Sequence, residues 1–218
     1  MRVACVGYRD WALNIYDRLA ASTDHTVLIF RSKAQFKVDA LDDFKPDLVL
    51  FYGWSWIIPA DLLKRHTCLM LHPSPLPRYR GGSPIQNQMI VGETSSKVSL
   101  FVMTDELDAG DLVGQQDLSL AGTLDDIFMR MEDAGVELTS HLLDHGLQRI
   151  PQDHSAATFC KRRTPEDSEI TAEELASKPA EYLYNKIRML ADPYPNAFIV
   201  AADGKKLMIT AAHIEEGA

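Results

Sequence analysis

This 218-residue sequence has no apolar run approaching the about 20 residues of a membrane span. It opens on Met1-Arg2-Val3-Ala4-Cys5-Val6, which reads as a strand and not as a signal peptide. Cysteine is scarce: Cys5, Cys68 and Cys160 are odd in number and widely spaced, so neither a disulfide framework nor a metal cluster is expected. Cys5 and Cys68 read as small buried hydrophobes, and cytoplasm is the natural compartment. Positive charge is in deficit. The net charge of −9 argues against nucleic-acid affinity through counterion release and for a small-molecule partner. Gly7-Tyr8-Arg9-Asp10-Trp11-Ala12 lacks the spaced glycines of dinucleotide binding, and no Walker-type lysine follows, which argues against NAD- and ATP-dependent chemistry. Internal repeats and low-complexity tracts are absent.

What is present is ordinary soluble composition, 46% hydrophobic and 24% charged, in a length that suits one α/β domain and a small appendage. The apolar runs Arg2–Gly7, Thr26–Phe30, Asp47–Tyr52, Cys68–His72, Val98–Met103 and Leu112–Leu120 predict strands. Helices are predicted over Asp10–Ala21, near Asp39–Phe44, over Pro59–Arg65 with proline in first position, and over Ser83–Val91. Thr123 opens a strong helix that Gly146 ends. This alternation predicts a mainly parallel twisted sheet with helices on both faces. Residues 1–150 form that domain. Residues 151–218 read as a short extension, with a helix near Ala180–Leu190 and a hairpin of Ala197–Ala202 and Lys206–Ala211.

His72 ends an apolar strand and is followed by Pro73, Pro75, Pro77, Arg78 and Arg80. A lone histidine at a strand end is more often structural. Here the apolar strand orients it, the prolines stiffen the next loop, and the arginines offer forked hydrogen bonds to an anion. Asp105, Glu106, Asp108 and Asp111 crowd another strand end, an arrangement that suits proton exchange as well as a solvated turn. Tyr52-Gly53-Trp54-Ser55-Trp56 offers aromatic walls for a flat heterocycle. Lys161-Arg162-Arg163 reads as a solvated loop, and the remaining histidines show no metal-like spacing.

Tyr52-Gly53 with Ile58-Pro59, His72-Pro73-Ser74 with Leu76-Pro77, Arg80-Gly81, Pro84-Ile85, and Met103 through Leu107-Asp108-Ala109-Gly110-Asp111 occur in an order that resembles the 10-formyltetrahydrofolate-dependent formyltransferases. Pro193-Tyr194-Pro195-Asn196-Ala197-Phe198 resembles a further segment of that family. The resemblance implies a Rossmann-like formyltransferase fold, formyl transfer to an amine, His72 and Asp108 as catalytic groups, and no metal. It implies 10-formyltetrahydrofolate as co-substrate, held by Tyr52, Trp54, Ile58, Ser74, Leu76, Pro77, Met103 and Asp105. Arg78, Arg80 and Gly81 would face the acceptor. The family's asparagine, two residues before the histidine, is here Met70, which faces the same side of the strand but donates no hydrogen bond. Asn87, Ser55 or a backbone N–H would have to replace it. Most similar are the nucleotide-amino-sugar N-formyltransferases. Methionyl-tRNA formyltransferases continue into a C-terminal barrel for which residues after Ile150 leave little room, and the acidic charge disfavours tRNA. A nucleotide-linked amino sugar is therefore the expected acceptor, with no membrane partner and a homodimer left open. A formyltetrahydrofolate hydrolase and a non-catalytic folate or nucleotide-sugar binder are the alternatives.

Overall fold

The computed structural model describes residues 1–191 and 194–215, so Pro193 of the Pro193-Tyr194-Pro195 segment lies outside the described residues. Strand β1 (Arg2–Val6) leads through α1 (Asp10–Ser22) to β2 (Thr26–Phe30), then through α2 (Val38–Phe44) to β3 (Leu48–Phe51) and through α3 (Ala60–Arg65) to β4 (Cys68–His72). After the two-residue strand β5 (Arg80–Gly81) come α4 (Pro84–Ile90), β6 (Ser95–Val102), β7 (Leu112–Ser119) and the long α5 (Leu124–His145). The rest holds β8 (Phe159–Cys160), α6 (Ala172–Ser177), α7 (Ala180–Arg188), β9 (Ala197–Val200) and β10 (Lys206–Ile209).

The main sheet runs β2-β1-β3-β4-β6-β7. Its first four strands are parallel, while β6 and β7 are antiparallel to their neighbours. Every residue of β3 is buried, as expected of a strand covered on both faces. Side-chain alternation sorts the core into two layers. Val3, Cys5, Leu48, Leu50, Leu69 and Leu71 pack beneath α1 and α5, and Ala4, Val6, Val49, Phe51 and Cys68 pack toward α2 and α3. Met70 and His72 share the second parity and face the same side. Thr123 caps α5 through a capping box with Asp126.

Several details differ from the sequence reading, among them the short helix α6, which the sequence did not suggest. Pro59 caps α3 from outside, and β6 begins at Ser95. The polar stretch after Gln152 carries β8, which pairs with β5 in parallel. Two-residue strands are too short to carry a periodic signal.

Candidate active site

The carboxyl ends of β1, β3 and β4 open onto one cleft of about 1020 Å³, the place where an open α/β sheet holds ligands. His72, the last residue of β4, sits at its base with a side chain only 7% exposed. Its Nε2 lies 2.9 Å from the carbonyl oxygen of Tyr79. A carbonyl only accepts, so Nε2 carries the proton and Nδ1 is turned toward Asp108. Nδ1 stands 3.7 Å from Asp108 Oδ2, and that same oxygen accepts the Gly81 N–H at 2.8 Å.

Backbone strain concentrates around this pair. Among the described residues, the non-glycine positions with positive φ are Lys45, Tyr79, Ser83 and Asp108, and the last three lie in the segments that build the site. Tyr79 in this conformation presents its carbonyl to His72. Gly110 follows because a Cβ there would meet the Val102 carbonyl oxygen at 1.8 Å.

The cleft lining carries both signs of charge, with Asp105, Glu106 and Asp108 as well as Arg9, Arg162 and Arg163, together with the indoles of Trp54 and Trp56. Among the described residues, two buried nitrogens lining it, Trp54 Nε1 and Arg163 Nε, have no hydrogen-bond partner. Buried donors are normally satisfied, so these are places for ligand acceptors.

Of the residues expected from sequence, His72, Asp108, Trp54, Ile58, Met103, Asp105 and Gly81 line the cleft. Tyr52, Ser74, Leu76, Pro77, Arg78 and Arg80 do not. Tyr52 is fully buried beneath it, its hydroxyl 2.9 Å from Thr139 Oγ1, and burial holds its phenol well above the usual range. Ser74 is also buried and donates to the Arg78 carbonyl, while its own carbonyl accepts from Ser99 Oγ. Leu76 is core, and its carbonyl accepts from Gln115 Nε2. Pro77 turns its carbonyl to the Thr158 N–H. Arg78 is exposed and paired with Glu93 at 2.8 Å, and Arg80 is buried and held by Gln152.

Of the expected solvated loop, Lys161 and Arg162 are exposed and Arg163 is half-buried; unlike Arg78 and Arg80, Arg162 and Arg163 line the cleft. The β5–β8 pairing brings them there. Glycine at 82 permits the approach, since a Cβ would lie 2.5 Å from Arg162 Cα. Of the donors that were to replace the missing asparagine, Asn87 is committed to the carbonyls of Gly82, Ser83 and Lys161 and lies outside the lining. Ser55 lines the cleft, its hydroxyl 2.8 Å from Tyr8 Oη.

Residues 15–143 match the family model described as Formyl transferase, and residues 165–218 match that described as Methionyl-tRNA formyltransferase, C-terminal domain. The methionyl-tRNA formyltransferase of Halalkalibacterium halodurans is 34% identical over 181 residues, covering 79% of this chain and 55% of that protein. The chain thus spans about half the length of the curated relatives it matches. The solved methionyl-tRNA formyltransferase from Clostridium thermocellum superposes with a TM-score of 0.85 at 29% identity, covering 96% of this chain and 97% of that one. A 4-N formyltransferase from Francisella tularensis shares the fold with a TM-score of 0.78 at 19% identity, covering 99% and 98%.

Proposed function

The chain belongs to the formyl transferase family, and from that premise we propose that its cleft transfers a formyl group from 10-formyltetrahydrofolate to the amine of a nucleotide-linked amino sugar. The observation that carries the reading is the His72–Asp108 pair at the base of the cleft.

The residues fit a folate. Trp54 and Trp56 give aromatic walls, and the unpartnered Trp54 Nε1 asks for an acceptor. Bound folate supplies the formyl carbon. Because Tyr79 holds the Nε2 proton, Nδ1 of His72 is the nitrogen that meets the reacting groups. Unprotonated, Nδ1 accepts the proton the amine loses as its nitrogen bonds the formyl carbon. Once charged, it donates to the formyl oxygen or returns the proton to the departing folate nitrogen. Asp108 keeps the ring facing that position. Met70 adds no donor, so His72 bears the oxyanion alone or with a backbone N–H.

Arg9, Arg162 and Arg163 favour an anionic acceptor, and the overall charge of −9 favours a small one over tRNA. A second reading, methionyl-tRNA as acceptor, draws on the relatives at 30–34% identity and on the match over residues 165–218. The deciding experiment supplies 10-formyltetrahydrofolate with nucleotide-linked 3- and 4-amino sugars or with methionyl-tRNA, and follows tetrahydrofolate release. Turnover requiring an amino sugar supports the reading. Turnover only with methionyl-tRNA supports the second, and release without any amine points to a hydrolase. Folate binding without turnover in any arm indicates a non-catalytic binder.

A further inference from the structure

Gln152 lies outside the cleft lining, is 5% exposed, and makes four hydrogen bonds. Its Oε1 accepts from the buried Arg80 guanidinium at 2.7 Å and 3.3 Å. Its Nε2 donates to the carbonyls of Asp108 at 3.0 Å and Gly110 at 2.6 Å. One amide therefore ties the loop after His72 to the turn that carries Asp108.

That turn needs a restraint. Asp108 holds φ +49°, which disfavours a residue with a Cβ and persists only where the surroundings impose it. Gly110 presses the turn against the Val102 carbonyl, and the Gly81 N–H holds Oδ2. The carbonyls on either side of Ala109 are fixed by Gln152 Nε2. Arg80 adds stiffness from behind, its own N–H donating to the Thr158 carbonyl at 2.8 Å and its Nη2 lying 3.4 Å from His154 Nδ1.

We propose that Gln152 is a positioning residue: its amide, oriented by Arg80, holds the Asp108 turn in the strained conformation that keeps the carboxylate facing His72 Nδ1. The inference rests on the roles proposed above for His72 and Asp108. It makes residues after 150 part of the catalytic geometry, because the segment that delivers Gln152 is anchored by the reciprocal Leu112–Ile150 backbone pair.

The test compares Gln152→Met, which removes both halves of the contact, with Gln152→Glu, which keeps an acceptor for Arg80 but places oxygen against two carbonyls. The expected result is a fall in kcat of up to about 10²-fold, the scale of a 1 Å misplacement, with KM for both substrates near the wild-type value. In two-bond 1H–15N spectra the Nδ1 signal of His72 is expected to move toward that of Asp108→Asn, while backbone signals of β1 and β2 stay in place. An unmoved Nδ1 signal, or an unchanged kcat in a folded variant, overturns the proposal. Should Gln152→Met not fold, Gln152→Glu decides by the same two readouts. If the wild-type protein transfers no formyl group, the formyltransferase reading fails and the spectra still judge the positioning role.

Discussion

Nδ1 of His72 and Oδ2 of Asp108 face each other across 3.7 Å, each held from behind, the imidazole by the Tyr79 carbonyl and the carboxylate by the Gly81 N–H. Both restraints come from the segment just beyond β4, so the loop that follows the histidine also aims its partner. The gap exceeds a direct hydrogen bond and leaves Nδ1 free to exchange a proton with a substrate.

Replacing either member therefore separates chemistry from binding. His72→Ala and Asp108→Asn are expected to lower kcat by about 10²–10⁴-fold, the range for a lost general acid–base, with folate affinity retained. Release of tetrahydrofolate and equilibrium folate binding measure the two quantities. Full activity in either variant removes the assigned role.

Met70 shares the face of His72 and lines the cleft at the position where the family resemblance leads one to expect an amide donor. Met70→Asn is expected to raise kcat, and restoring a complete oxyanion donor is worth up to about 10²–10³-fold. Steady-state kinetics at saturating substrate check this. An unchanged kcat would show that charge on the formyl oxygen is already met by other donors.

Arg163 and Arg78 are expected to part company. Arg163→Gln should raise the acceptor KM and leave the folate KM alone, because Arg163 Nε is a buried, unpartnered donor of the cleft. Arg78→Gln should leave both unchanged, since Arg78 is exposed and paired with Glu93. The reverse pattern would return the acceptor to the loop after His72.

Gly110→Ala drives a methyl group into the Val102 carbonyl, 1.8 Å from its Cβ. The expected loss is about 3 kcal/mol, near the top of the usual range for overpacking, and a drop in Tm of about 6 °C or more. A melting curve matching wild type would mean that the 108–110 turn relaxes freely, which would also weaken the case for Gln152.

Acid should loosen the C-terminal segment through Glu174. Burial alone would raise this carboxyl's pKa, yet the Lys186 hydrogen bonds, with those from Thr171 N–H and Tyr182, bring it below the usual range. A depressed folded pKa means that its stabilisation is complete above the unfolded value of about 4.3 and is lost as pH falls through the folded value. Urea unfolding at pH 7 should show Glu174→Gln less stable than wild type. At pH 3 the difference should shrink, and a constant difference would contradict the linkage.

Much of this protein is set by local sequence. Continuous apolar runs mark β1, β3 and β4 as strands, and the alternation of side chains along a strand puts Met70 and His72 on one face without reference to anything distant. The Thr123–Gly146 signals bound α5 because capping is a contact between near neighbours. What the tertiary structure decided is where long polar side chains go. Arg80 looked like a substrate ligand and is buried because Gln152, far along the chain, supplies its acceptor. Arg163 looked solvated and is half-buried at the cleft because a two-residue parallel pairing and a glycine at 82 carry its segment there. A strand's periodicity is written in its own residues, whereas a flexible cation takes whichever partner the folded chain brings within reach, and no local pattern encodes that partner.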